Sequence, residues 1–245
     1  MNELAELKGK HLFIQPHLDD VPFSVGSLIL NDYFPKQDCS FFTIFGKEFF
    51  NIRSYEHNNV TMDILKVQEE NWFKNAGIRN NRYELEEAGY RGITDVRKLF
   101  RTKLASEFTM DYESLGYGNK GDVWACIKEI LKKNESDYVW IPAGIGGHCD
   151  HLAVRQAMIE LADDYNGKGI LFYEELPYRL YSRPLDWNKC MIRGFHKEKQ
   201  ILHELSLEEE ILKYESLKYF DSQIDDRQAK ILCSQGECIC LWVRE

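Results

Sequence analysis

Apolar residues along this chain fall into two kinds of run that alternate. Short, continuous runs rich in β-branched and aromatic residues occupy about Lys10–Gln15, Cys39–Phe45, Asp137–Pro142 and Gly169–Tyr173. Such runs read as strands buried on both faces. Longer runs with helical spacing fit Val21–Leu30, Thr61–Asn75 (apolar at 64, 65, 67, 72 and 73, stopped by Gly77), Asp95–Glu107, Gly121–Lys133, His151–Asp164 and Leu205–Phe220. Arg79–Ile93, rich in Gly, Asn and Tyr, reads as loop with a short strand, and Ala229–Val243 as two short strand-like pieces. The βαβα rhythm predicts a mainly parallel sheet with helices on both faces, a Rossmann-like α/β fold.

In such sheets ligands gather outside the carboxyl ends of the strands. Two strand ends carry more ionisable side chain than a turn needs. After the first strand stands Gln15-Pro-His17-Leu-Asp19-Asp20, and after Asp137–Pro142 stands Gly144-Ile-Gly-Gly-His148-Cys-Asp150-His151. Three of the seven His lie in these turns, whereas His11, His57, His196 and His203 stand alone and read as structural or solvated.

Composition narrows the class. With 44% hydrophobic and 29% charged residues, and no repeat or low-complexity tract, the 245 residues are expected to form a single domain spanning 1–245. A net charge of −9 without a basic stripe argues against nucleic-acid binding. No apolar run reaches membrane-spanning length, and the charged N-terminus is unlike a signal peptide. Seven Cys without a CxxC suit free thiols in a cytoplasmic protein. Cys238 and Cys240 alternate within a strand and should face one side of it.

Taken singly, either turn has a plain explanation, since Asp19, Asp20 or Asp150 could cap the helix that follows. Taken together, they bring imidazoles and carboxylates to one edge of the sheet. Those are the ligands of a catalytic zinc that keeps a position open for water. Two ligands from one turn and one from the other would complete a three-ligand site, and a spare carboxylate could act as base. Spacing alone does not say which Asp does which.

The chain resembles the PIG-L/LmbE-like metal-dependent N-deacetylases. Pro16-His17-Leu-Asp19-Asp20 matches the family turn after the first strand, and His148-Cys-Asp150-His151 its second signature. Val67-Gln-Glu-Glu70 to Gly77, Phe172–Tyr178 and Asp221-Ser-Gln223 resemble further family segments, so the likeness spans about residues 10–225. The resemblance implies His17, Asp20 and His151 as ligands of zinc or another divalent ion, with Asp19 as the base for the water. It implies His148 as the charged partner of the oxyanion, with Asp150 orienting its ring. The reaction implied is removal of an N-acetyl group from an amino sugar, of N-acetylglucosamine type, or from a sugar conjugate.

Two departures stand out. Some relatives place an oxyanion-stabilising Tyr where this chain has Gly146; Tyr178, another residue or the metal alone would have to replace it. A family Arg that holds substrate has Lys66 as its nearest counterpart here. Arg91 and Glu174 are further substrate-binding candidates, with Glu175 beside the latter. Arg53, Arg79 and Arg82 read as surface charges that could overhang the pocket. Hydrolysis of an ester or phosphoester on the same residues, or a non-catalytic carbohydrate-binding relative, are the alternative readings.

Overall fold

The computed structural model describes residues 3–47, 62–93, 95–101, 104–108, 112–113, 115 and 121–245; Arg53 and His57 lie outside them. Seven strands form one sheet: β1 (His11–Gln15), β2 (Cys39–Thr43), β3 (Asn80–Arg82), β4 (Tyr138–Pro142), β5 (Gly169–Tyr173), β6 (Phe195–His203) and β7 (Glu237–Arg244). Their order is β3-β2-β1-β4-β5-β7-β6. The first five pair in parallel, with His11 opposite both Cys39 and Tyr138, while β7 runs antiparallel to β5 and β6 antiparallel to β7. The expected Rossmann-like α/β architecture is what the chain adopts.

Helices cover both faces, which is why β1, β4 and β5 are buried at every position. Leu12, Ile14, Val139, Ile141, Ile170 and Phe172 point to one face, under α4 (Gly121–Lys133) and α5 (Cys149–Glu160). Phe13, Trp140, Leu171 and Tyr173 point to the other, under α1 (Asp20–Leu30), α2 (Met62–Asn75), α6 (Leu207–Leu217) and α7 (Asp226–Cys233). Cys240 packs in the first of these cores, all seven cysteines are free thiols, and no described helix is long and apolar enough to cross a membrane.

Two expectations need correction, and one strand drew no expectation from the sequence. The helix expected over Asp95–Glu107 is broken into one turn at α3 (Val96–Leu99) and a 3₁₀ turn at Leu104–Ser106. Between them Phe100 pairs with His148 and the Arg101 N–H binds Gly147 O, so the chain leaves the helix to serve the neighbouring turn. The two pieces expected in Ala229–Val243 are instead α7 and the single strand β7. A capping box between Asp225 and Gln228 starts that helix, and Gly236, at φ +66°, turns the chain out of it. Finally, β6 escapes the alternation rule because it is an edge strand. Its middle, His196 to Gln200, is mostly exposed and charged, which keeps an unpaired edge from recruiting other strands.

Candidate active site

The strand order places the two unusual turns side by side. After β1 the chain crosses to α1 on one face, and after β4 it crosses to α5 on the other, so the crevice between their carboxyl ends is the switch point of the sheet. His17, 134 residues from His151 in sequence, comes within hydrogen-bond distance of it.

Neither turn uses its carboxylates as helix caps. Asp19 occupies the N-cap position of α1 but makes no side-chain cap hydrogen bond. The Val21 N–H is bound instead by Gln15 Oε1 at 2.9 Å, and Asp20 Oδ2 accepts the His17 backbone N–H at 2.8 Å. At α5 the cap is His148, whose Nδ1 accepts the Asp150 N–H at 3.3 Å. The capping explanation therefore fails at all three Asp.

Carboxylates set the tautomers of the two central imidazoles. His17 Nε2 lies 3.1 Å from Asp150 Oδ2, and His151 Nδ1 lies 2.9 Å from Glu175 Oε1. A carboxylate only accepts, so each of these nitrogens carries its proton. The opposite nitrogens, His17 Nδ1 and His151 Nε2, are then two lone pairs facing each other at 3.1 Å. Asp20 closes the group, with Oδ2 3.6 Å from His17 Nδ1 and Oδ1 3.4 Å from His151 Nε2. The two imidazole lone pairs and the Asp20 carboxylate, which offers a different oxygen to each ring, repel one another unless a cation joins them. Their separations are close to the edge of a zinc tetrahedron, about 3.3–3.4 Å for bonds of about 2.0–2.1 Å. The donor set therefore fits a zinc-like ion.

His148 extends the group: ligating atoms of His17, His148 and His151 all lie within 4.8 Å of one another. A second group, His17, Glu87 and Asp150, is gathered on the far side of the His17 ring. There Asp150 also accepts from the Ala88 N–H at 3.0 Å and from Arg91 Nη2 at 2.8 Å. An Arg cation on that carboxylate makes this side a support for His17 rather than a competing ion site.

Burial raises Asp19 above the usual carboxylate range; Glu69 and Glu87 add to the rise and His17 opposes it. Burial likewise raises Asp20, against the pull of His151 and His17. Asp150 is also desolvated, but the hydrogen bond from His17 and the charges of His148 and Arg91 outweigh this and hold it well below the usual range. Glu175, fully buried, is pushed up to about 7 by burial, against the N–H groups of Gly144 at 2.7 Å and Ile145 at 3.1 Å. Its three donors fit the ionised form. Burial, with His17, drives His148 well below the ordinary imidazole value, and His151 falls to about 4 for the same first reason, burial.

Several expected roles change. Burial, with His17, works against the charge expected on His148. The Asp150 carboxylate binds His17, and its link to His148 is made by the backbone N–H. Glu174 turns away from the site: it is buried beside β6, where Gln200 donates to it at 3.0 Å, and Glu175 is the member of the pair that enters. Lys66 is tied to Glu84 at 2.9 Å. Arg91 reaches the site, yet its guanidinium is committed to Asp150 and the Glu86 carbonyl rather than open for substrate. Arg79 is exposed, as expected of a surface charge, and Arg82 is spent on Glu69.

Sequence reading named Glu175 only as the neighbour of Glu174, and it missed Glu87 and the buried network under the first turn. There Glu69 Oε1 accepts from Thr43 at 2.6 Å, Asn80 at 2.7 Å and Gln15 at 3.0 Å, and Arg82 binds Oε2. This network fixes Gln15, which in turn caps α1. A cleft of about 270 Å³, lined by Phe45, Lys47, Glu86, Arg91 and Asp122 among others, adjoins the site through Phe45 and Arg91. A larger cavity of about 680 Å³, by Ser136 and Gly167, opens where β4 and β5 begin, at the opposite end of the sheet.

No family model matches the chain. It is 29% identical over 175 residues to 2'-N-acetylparomamine deacetylase of Streptomyces fradiae, a match covering 70% of this chain and 58% of that protein. In fold it is similar to the zinc-inhibited form of teicoplanin deacetylase Orf2, at a TM-score of 0.68 and 18% identity over 96% of this chain and 98% of that one. The same fold carries other chemistry: GalB, a 4-carboxy-2-hydroxymuconate hydratase of Pseudomonas putida, matches at a TM-score of 0.53 and 11% identity over 96% and 95% of the two chains. The chain is thus similar in sequence to one deacetylase and in fold to another, as its resemblance to the PIG-L/LmbE-like deacetylases led us to expect.

Proposed function

We propose that this chain is a metal-dependent deacetylase of an N-acetylated amino sugar or of a conjugate carrying one, its 245 residues forming one domain of that kind. The observation that carries the reading is the pair of imidazole lone pairs 3.1 Å apart, each ring held from behind by a carboxylate and both closed by Asp20. Beside them stands Asp19, released from capping. The sequence relative, a deacetylase of 2'-N-acetylparomamine, supports an N-acetylated amino compound as substrate.

His17, Asp20 and His151 would hold the ion. When bound, zinc would polarise the acetyl carbonyl and make the attacking water more acidic. Asp19 takes a proton from that water as the water oxygen bonds to the acetyl carbon, and the carbonyl π pair moves onto its oxygen. A raised pKa suits Asp19 to this exchange, since an efficient base lies near the working pH. His148 accepts at Nδ1, so its proton is on Nε2, a neutral donor for the developing oxyanion. As the oxyanion pair returns to re-form the carbonyl, the C–N bond breaks, its electron pair stays on nitrogen and the proton on Asp19 passes there. Acetate and a free amine leave.

Metal content and acetate release test this together. The purified protein should carry close to one divalent ion per chain, lose acetate release on chelation and regain it with zinc. Asp19→Asn should keep the ion and lose roughly 10²–10⁴-fold in rate. Equal acetate release from the exhaustively chelated protein would refute metal dependence. Cleavage of acetate or phosphate esters without any N-acetyl sugar would favour the other hydrolase reading. Bound metal with no acetate released would leave a carbohydrate-binding relative.

A further inference from the structure

Tyr178 forms a wall of the site that the steps above leave unused. Its ring lies over His148 with centroids 6.2 Å apart and planes 24° apart, and meets His151 edge-on at 5.4 Å and 80°. Phe100 packs against it at 5.7 Å. Asp20, Asp19, Glu175 and Asp150 all act on its hydroxyl electrostatically, as expected of a ring in contact with both His148 and His151. Among the described residues, no hydrogen bond to that hydroxyl is formed.

The backbone around Tyr178 is built to hold the ring there. It opens the 3₁₀ turn Tyr178–Leu180 three residues after Glu175, and the turn is pinned from both sides. The Arg179 N–H binds Glu175 O at 2.9 Å, the Arg179 guanidinium reaches Gly236 O at 3.1 Å, and the Leu176 N–H binds Ser24 Oγ at 3.1 Å. Opposite, Gly146 leaves the room. A Cβ at 146 would sit 2.9 Å from Tyr178 Cβ and 3.2 Å from Cγ, so any side chain there would push the ring away from the imidazoles. The aromatic wall and the missing side chain are complementary.

We propose that Tyr178 is a catalytic residue whose hydroxyl donates a hydrogen bond to the acetyl carbonyl oxygen as it becomes the tetrahedral oxyanion, alongside His148. The role rests on the deacetylase reading above. No proton is transferred: the O–H bond stays intact while negative charge appears on its acceptor and is lost again when the C–N bond breaks. A donor of this kind acts on the transition state more than on bound substrate, so its removal lowers kcat and leaves KM nearly untouched.

Tyr178→Phe removes one oxygen and keeps the ring stack. With the N-acetyl sugar that releases most acetate from the wild type, kcat should fall by about 10²–10³-fold with KM within about threefold. Zinc content should match the wild type. The tetrahedral methylphosphonamidate counterpart of that sugar should bind the zinc-loaded variant more weakly by a similar factor, while the substrate itself binds as before. An unchanged kcat, or a raised KM with kcat retained, would overturn the proposal and leave Tyr178 as packing. Loss of zinc together with activity would also overturn it, since the ring would then be acting through His151. If the wild type releases no acetate from any sugar, the deacetylase reading itself fails, and this role fails with it.

Discussion

Glu175→Gln is the substitution whose effect can be worked most fully from the structure. Glu175 Oε1 accepts from the Gly144 N–H at 2.7 Å and the His151 Nδ1–H at 2.9 Å, and Oε2 accepts from the Ile145 N–H at 3.1 Å. A glutamine of the same shape has one acceptor oxygen and one NH₂ donor. With its oxygen at the Oε1 place it keeps two bonds, but its NH₂ then faces the Ile145 N–H, donor against donor. The flipped amide breaks two bonds instead of one. Ile145 has no exposed surface, so water cannot repair the loss. One orphaned buried donor costs about 1–3 kcal/mol, which for a chain of this size lowers the melting temperature by roughly 2–12 °C. The charge that orients His151 and raises its basicity is also lost, and removal of such a partner commonly weakens metal affinity by about 10–100-fold. Thermal melts in chelator would read the first effect, and competition for zinc against a chromophoric chelator the second. Wild-type zinc affinity in the folded variant would refute the reasoning, because His151 would then need no carboxylate behind it.

His11 yields a pH prediction away from the site. Its Nδ1 accepts the Trp140 indole N–H at 3.0 Å and its Nε2 lies 3.0 Å from Leu7 O, so the buried neutral ring uses both nitrogens. Burial lowers its pKa to about 4. The unfolded chain therefore binds this proton more readily, and the stability that His11 contributes, complete above pH about 6.5, is lost progressively as pH falls to about 4. By pH 5 the loss should reach roughly 2 kcal/mol. Urea unfolding in chelator at pH 7 and pH 5 should show a larger drop for wild type than for His11→Gln; parallel drops would contradict it. Gly146→Ala should cost roughly 1–2 kcal/mol from its φ of +79° alone and should displace Tyr178, read as a change in near-ultraviolet circular dichroism together with lower acetate release. A spectrum identical to wild type would show that the ring does not depend on the missing side chain.

The parts of this molecule that could be read from the sequence are those with a local pattern. Continuous apolar runs marked β1, β2, β4 and β5, and the crowding of His17, Asp19 and Asp20, then His148, Asp150 and His151, marked the two turns. What stayed hidden was set by tertiary pairing. Glu69, Glu87 and Glu175 are ordinary charges in sequence and become buried only because Arg82, Asn80, His17 or His151 meet them in the fold. Arg91 has no sign of its partner Asp150, 59 residues away. The edge strand β6 lacks alternation because one of its two flanks has nothing to bury against, and α7 was lost to a capping pair, Asp225 and Gln228, that lies just upstream of the segment read as strand.

The helix start at Asp19 has a consequence for how this protein can change. Because Gln15 caps α1 from the preceding strand, the first turn of the helix does not lean on the carboxylate beside it. Asp19 can be replaced without loosening the helix that carries Asp20, so chemistry and folding are separable at that one position. Under the proposed mechanism, a single codon change there would leave a folded protein that still gathers its ion and its ligand but turns over far more slowly. On that reading, the step between a working hydrolase and a receptor for the same molecule would be, in this architecture, one residue wide.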